Sequence, residues 1–327
     1  MQSLRSTMEN QTIVDEFLLH GFPDTEELRI FHIIIFLVIY LVVLIENFII
    51  ITVVLYSYQL HSPMYFFLAN LSFQDLGSIS VTVPKSMMNS LMNTEAISYA
   101  GCFCQVFFFD FFVISHLFLL VVMAYDRYIA ICKPLHYEIV MNKRTCIQMV
   151  FSALTSGLFF STLYTGNLLR LDFCSRMINQ FFCEIPQLLK ISCSDSYIAE
   201  ELALTFGSCV GFILFALIVF SYVKIFRAVL KIPTTQGKQK AFSTCLPHLI
   251  VICLYVASAS LVYFSPVSTS SSELDPFISI FYCVVPPIMN PLIYSMRNSE
   301  LKMAFWKLIL HVCPHFLCKN HFQIQLP

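Results

Sequence analysis

The amino-acid sequence predicts an all-α membrane protein, a seven-transmembrane helix bundle followed by a short amphipathic eighth helix. Three observations carry that reading. The 327 residues are 57% hydrophobic and only 12% charged, against roughly 45–50% and about 25% in an average soluble domain. The apolar residues fall in long blocks instead of being scattered. The few charges are sorted between alternate connecting segments. High hydrophobicity with low charge excludes intrinsic disorder, and a net charge of −1 offers no basic excess for nucleic acid.

Residues 1–29 lack an apolar run of signal-peptide length, so the first apolar block is expected to act as its own insertion signal. A hydrocarbon core about 30 Å thick takes roughly 20 apolar residues of helix. Seven blocks qualify: 30–56, 64–83, 103–125, 146–169, 202–223, 241–264 and 277–294. They contain Pro, Gly and polar residues, which bundled helices tolerate because neighbours satisfy the freed backbone groups. Residues 299–310 are too few to span. Leu301, Phe305, Leu308 and Ile309 share a face there, edged by Lys302 and Lys307, which predicts a helix lying on the membrane surface. The expected division is an extracellular segment 1–29, a transmembrane domain 30–296, and a cytoplasmic helix and tail 297–327.

Orientation follows from Lys and Arg. With the N-terminus outside, Arg5, Arg29, Lys85, Arg170, Arg176 and Lys190 are the outer bases, and the other 13 of the 19 lie inside. Of the 20 acids, 14 fall outside, three inside, and Glu46, Asp75 and Asp110 within spans. Asn10-Gln11-Thr12 is a glycosylation acceptor, usable only on the lumenal side. Cys102, Cys104, Cys174, Cys183 and Cys193 also fall outside, where disulfides persist. A multi-pass plasma-membrane protein is expected. The connection 170–199 is long, and such loops are functional or disordered. Its cysteines and apolar residues predict a stapled, packed lid.

Polar residues in mid-span carry the functional argument. Asn47 and Asp75 either glue helices together or form a polar centre that rearranges and can take a cation. Asp126 and Arg127, in Met123-Ala124-Tyr125-Asp126-Arg127-Tyr128, lie at the inner end of the third span. Cys102 at its outer end is about 37 Å away along the helix. Arg127 either snorkels to the interface or forms with Asp126 a pair that can be locked and released. In Asn290-Pro291-Leu292-Ile293-Tyr294, Pro291 frees a backbone carbonyl. Asn290 is expected to bond that group, making a deformable point.

These stretches occur in a particular company. Leu60-His61-Ser62-Pro63-Met64-Tyr65-Phe66-Phe67-Leu68, Met123-Ala124-Tyr125-Asp126-Arg127-Tyr128-Ile129-Ala130-Ile131-Cys132, Ser221-Tyr222, Lys240-Ala241-Phe242-Ser243-Thr244-Cys245 and Pro291-Leu292-Ile293-Tyr294-Ser295-Met296-Arg297-Asn298 follow one another along nearly the whole chain. In them the sequence resembles the rhodopsin-like G-protein-coupled receptors, and specifically the vertebrate olfactory receptors. The resemblance implies a disulfide Cys102–Cys183 and a second, Cys174–Cys193, leaving Cys104 as a buried thiol. It implies a polar core of Asn47, Asp75 and the position that His116 occupies. It implies a G-protein-facing switch of Asp126, Arg127, Tyr128, Tyr222, Asn290, Pro291 and Tyr294. The odorant pocket it implies is lined by Asp110, Val113, Ile114, Phe206, Gly207, Val210, Ala259, Tyr263, Ile280 and Cys283. Such a lining is mostly apolar with few polar anchors, which suits small volatile ligands. The implied partners are a small hydrophobic odorant, membrane lipids and a stimulatory G protein of the olfactory type that raises cyclic AMP. No cofactor and no enzymatic activity are implied.

The chain departs from the family pattern in places. Glu46 replaces the usual Gly before Asn47, and a carboxyl at that depth needs a partner or a proton. His116 replaces an acid across from Asp75. Two facing acids suit a cation, whereas an Asp–His pair suits a proton or a direct hydrogen bond, so a sodium site near Asp75 is not expected. His116 is either a pH-sensing group or a satisfied core histidine. Asp110 stands where relatives carry His, either as a ligand anchor or as an ordinary partnered acid. Val256 stands where relatives carry Tyr, making the pocket floor less polar. In the tail, His311, Cys313, His315, Cys318 and His321 are metal-ligand types without zinc spacing. Cys313 is a candidate for palmitoylation.

Rival classes find less support. Transporters show internal repeats with matched broken helices, and no repeat is evident in this sequence. No H-E-x-x-H, G-x-S-x-G or phosphate-cradling glycine loop occurs, and there are only eight glycines. A receptor that traffics poorly or does not signal is the remaining alternative.

Overall fold

A computed structural model describes residues 16–19, 25–193, 198–264, 275–297, 301, 303 and 304. Seven long helices make the bundle: α1 (Glu26–Tyr56), α2 (Pro63–Met92), α3 (Tyr99–Cys132), α5 (Lys143–Leu168), α7 (Ile198–Leu230), α8 (Thr235–Phe264) and α9 (Asp275–Arg297). Two short helices, α4 (Tyr137–Val140) and α6 (Ile185–Ile191), lie in the connections. By length and composition, α1, α3, α5, α7 and α8 are apolar and long enough to cross a membrane. Of the remaining two, α2 carries polar interior residues, and the apolar stretch of α9 among the described residues, Ser279–Tyr294, is shorter than a span. Gln74, Asp75, Thr82, Ser86 and Asn89 are buried on α2, and α9 holds Pro286, Pro287 and Pro291. Both are packed against other helices of the bundle, so their polar groups need not meet lipid.

Most helices overrun the apolar blocks that announce them. The backbone ladder continues past the hydrocarbon boundary until a capping residue stops it. Pro63 opens α2 at a position where its missing N–H is harmless. Asn93 ends α2 in the left-handed conformation, φ 52°. Ser98 caps α3 by accepting from the Gly101 N–H at 3.1 Å, and Asn142 caps α5 by accepting from Thr145 at 3.0 Å. Where α3 and α5 cross, a Cβ on Gly157 would meet Ser115 Oγ at 2.0 Å and the Phe111 carbonyl at 2.8 Å. Only glycine allows that approach.

The core is divided among three clusters. One surrounds Leu119, Leu120, Met123, Tyr222, Val251 and Tyr294, near the end that carries Asp126. Leu301 and Ala304 are buried against it, and Met303 is exposed, as the amphipathic reading of 299–310 expects. The rest of that stretch, with Phe305, Lys302, Lys307, Leu308 and Ile309, lies outside the described residues, as do Asn10 and Cys313. A second cluster gathers Phe36, Val43, Ile79, Phe109 and Cys283. The third, around Phe17, Ile97, Cys102, Leu168, Cys183 and Leu188, closes the opposite end.

That closed end contains an element the hydropathy pattern does not announce. Strand β1 (Glu16–Leu19) lies between β2 (Ala96–Ser98) and β3 (Met177–Ile178) in a three-stranded sheet. β1 pairs antiparallel with β2, Phe17 opposite Ile97, and parallel with β3, Leu18 opposite Met177. Strands this short carry no usable period. Backbone pairing and burial of Phe17 and Leu19 hold β1 in place.

Candidate functional site

The lid expected in the 170–199 connection is held at two points. Cys102 at the start of α3 is bonded to Cys183, and Cys174 to Cys193. The first bridge is fully buried; the second is exposed. Gln105, one turn below Cys102, donates from Nε2 to the Val81 carbonyl at 2.9 Å and accepts at Oε1 from the Cys183 N–H at 2.8 Å. One amide thereby ties α2, α3 and the lid together. Phe181 and Phe182 then drop from the lid into the middle cluster. Phe181 meets Phe36 edge-on at 5.4 Å, and Phe182 meets Phe109 at 5.2 Å. The mouth of the bundle at the lid end is filled by this aromatic pair.

Beneath the lid the structure brings together part of the expected pocket. Val113, Ile280 and Cys283 pack around Phe109, Phe181 and Phe182. The Cys283 thiol lies 3.2 Å from Thr82 Oγ1 on α2. Asp110 and Ile114 are half-buried on α3. Of the expected α7 pocket residues, Phe206 alone is turned away from the bundle interior. Ala203, Leu214, Ile218, Tyr222, Ile225 and Val229 are its buried stripe, and Gly207 and Val210 continue that stripe at helical spacing. Phe206 is off it, 49% exposed, with its ring 5.7 Å from Phe160 on α5. Gly207 serves helix packing: a Cβ there would lie 1.6 Å from the Tyr164 hydroxyl of α5. Ala259 and Tyr263 are in α8, with side chains outside the described set. Val256 is corrected likewise. It is 41% exposed, and its neighbour Tyr255 turns inward, stacked on His116 at 4.4 Å. Each residue step turns a helix by about 100°, so a one-residue shift exchanges an inward for an outward side chain. Cys104 is exposed, not buried, for the same reason.

The polar core is more tightly partnered than its residue types foretell. Asn290 Nδ2 donates to both oxygens of Asp75, at 3.1 and 3.0 Å, and His116 Nδ1 lies 3.3 Å from Asp75 Oδ1. Asn290 therefore does not take the carbonyl freed by Pro291. That carbonyl, four residues back on Pro287, accepts from Asn47 Nδ2 of α1 at 3.3 Å. Asn47 also donates to Val43 O at 3.0 Å. Glu46, beside it, is half-buried, and its Oε2 has no hydrogen-bond partner among the described residues. Hard cations take oxygen ligands, whereas the atoms that meet the Asp75 carboxylate are nitrogens, Asn290 Nδ2 and His116 Nδ1. With both nitrogens on the carboxylate, the arrangement favours a direct hydrogen bond over a bound sodium ion. Replacing His116 by Glu would restore a second carboxylate. His116→Glu receptor is expected to melt several degrees higher in sodium chloride than in choline chloride, with wild type indifferent to the choice. Sodium-selective stabilisation of the wild type would contradict this account.

At the end of α3 away from the lid, Arg127 Nε donates to Asp126 Oδ2 at 2.8 Å, and its Nη2 donates to the same oxygen. Tyr137, at the start of α4, donates to the other oxygen at 2.8 Å. Burial first, and the Asp126 carboxylate second, raise the Tyr137 phenol above its usual pKa, so it keeps its proton and remains a donor. Asp126 is 1% exposed. Tyr222 on α7 pairs through its hydroxyl with His248 Nδ1 on α8 at 2.6 Å. The buried Tyr294 hydroxyl has no hydrogen-bond partner among the described residues. Tyr128 lies under the Lys133 ammonium, 6.0 Å from the ring centre. Sequence reasoning misses Gln105, Tyr137, His248, Tyr255 and the Phe181–Phe182 pair. His248 is an ionisable group inside an apolar block and could have been found on that ground. Tyr137, in a loop, gives no such signal.

The chain matches the family model described as olfactory receptor over residues 36–312. It is 46% identical over 306 residues to human Olfactory receptor 14C36, covering 93% of this chain and 98% of that receptor. It is 44% identical to Olfactory receptor 1G1 of the gorilla, covering 92% and 96%. Mouse Olfactory receptor 1E16 is 41% identical, covering 98% and 100%. The crystal structure of squid rhodopsin superposes with a TM-score of 0.69 at 16% identity, covering 92% of this chain and 89% of rhodopsin, which places the fold among seven-helix receptors. Joined to the lid, the polar core and the Asp126–Arg127 pair, these matches assign the chain to the olfactory receptor family: it is a multi-pass membrane receptor and not an enzyme.

Proposed function

We propose that this receptor binds a small, largely apolar volatile ligand under the lid and activates a stimulatory G protein of the olfactory type, raising cyclic AMP. Its setting is the plasma membrane, with 1–29 outside, the receptor domain over 30–296, and 297–327 in the cytoplasm. The observation that carries the reading is that α3 joins both ends of the machine. Its outer end bears the lid bridge at Cys102, and its inner end bears the Asp126–Arg127 pair held by Tyr137. A ligand that fits the released arrangement better than the locked one shifts the population toward it, and only that difference in affinity does so. Release exposes the inner face, where Leu135 and Ile139 are already 92% and 73% exposed, an apolar surface suited to a protein partner. The names of the relatives support the ligand class, and Asp110 is the polar anchor on α3.

The test is cyclic AMP output from cells expressing the receptor, against a panel of volatile amines, acids, alcohols and terpenoids. Responses to some members, abolished by Arg127→Ala at equal surface level, are expected. Ligand-driven current or flux without a G protein would sink the proposal. Glycosylation of surface receptor at Asn10, removed by Asn10→Gln, checks the orientation.

A further inference from the structure

A cleft of about 290 Å³ lies between α2 and α3 near their outer ends, apart from the pocket and the switch. Val81 and Lys85 of α2, Ile97 of β2, and Cys104 and Phe108 of α3 line it. Cys104 and Phe108 are one helical turn apart, and both are exposed, so the cleft opens outward from the bundle. In a membrane that direction is lipid. Lys85 lies seven residues before the end of α2, about 10 Å along the axis, where chains meet headgroups. It is half-buried, and among the described residues no acid forms an ion pair with it. A cation in a cleft with apolar walls recruits an anion. Gln105 at the back is spent on Val81 and Cys183, which leaves Lys85 as the charge the cleft presents.

The geometry points to a lateral site for the carboxylate end of a single-chain fatty acid. The carboxylate sits on Lys85, and the chain runs along Val81 and Phe108 into the bilayer. The volume is at the lower limit of small-molecule pockets, enough for a carboxylate and its first methylenes. An anionic glycerophospholipid is the competing occupant, which the labelling experiment separates. Because Val81 and Gln105 also carry the strut to Cys183, an occupied cleft braces the lid.

Cys104 reports on occupancy without any mutation. Purified receptor in phosphatidylcholine nanodiscs is alkylated with a maleimide, and the Cys104 peptide is quantified by mass spectrometry. Oleate is expected to slow Cys104 labelling saturably, and methyl oleate to do so roughly tenfold less well, because it lacks the charge for the ion pair. Lys85→Met should reduce the oleate effect to the level of the methyl ester. Equal protection by the ester, no protection by oleate, or protection by phosphatidylserine in place of oleate each overturns the assignment. The readout needs no signalling, so a failure of the G-protein reading leaves it unaffected.

Discussion

Asp126→Asn receptor is expected to signal without ligand, with basal cyclic AMP per surface receptor raised on the order of fiftyfold from a 1:99 resting equilibrium. The wild-type carboxylate is buried and takes donors from Arg127 and Tyr137. Removing one partner of a buried ion pair costs about 3–5 kcal/mol, because the other charge is left uncompensated. That cost falls on the locked arrangement alone, if release is what frees Arg127. About 5.5 kcal/mol would carry a two-state equilibrium from 1:99 to 99:1, so the substitution covers much of that range. Tyr137→Phe removes a single hydrogen bond to the same carboxylate and should raise basal output by a smaller factor in the same direction. Basal output unchanged in Asp126→Asn, at matched surface density, would show that the pair does not hold the inactive state.

Cys183→Ser should lose ligand response and most surface expression, whereas Cys174→Ser should retain much of both. Removing a native disulfide costs about 2–5 kcal/mol, yet the two bridges differ in what depends on them. Cys102–Cys183 spans 81 residues and lies inside the outer cluster with Phe17, Ile97 and Leu188. The backbone N–H of Cys183 also anchors the Gln105 strut, and Phe182 just before it plugs the mouth. Cys174–Cys193 closes only 19 residues on an exposed edge, where Cys193 N–H also donates to Asp172 O at 3.0 Å. Thermal melting of the two purified variants, beside surface staining, measures the difference. Equal melting temperatures would mean that the lid is not organised around Cys183.

Much of this architecture is legible in one dimension. Whether a stretch of twenty residues prefers hydrocarbon to water is a local sum over its side chains, so the spans of α1, α3, α5, α7 and α8 can be read off directly. The weaker spans, α2 and α9, are recognisable because their polar residues sit inside otherwise apolar blocks, which marks them as interior. The distribution of Lys, Arg and cysteine predicts the sidedness, and the length of the 170–199 connection predicts the lid. Asp126, Arg127 and Asn290 stand out by residue type alone.

What the chain order could not supply is the choice of partner. Asn290 stands beside Pro291, yet it bonds Asp75, 215 residues away, and the freed carbonyl goes to Asn47, 240 residues from it. Phe206 and Gly207 are adjacent, and the 100° turn between them sets one against Phe160 and the other against Tyr164. Strand β1 exists because β2 and β3 offer it edges. Hydrophobicity is additive along a segment and tolerates a residue's error, but a hydrogen bond is met or missed within a fraction of an ångström. The sequence by itself therefore determined which segments are apolar enough for hydrocarbon and the family the chain belongs to, and it predicts the side on which each segment emerges. Helix rotation and crossing, which only the packed bundle settles, decided which polar group meets which.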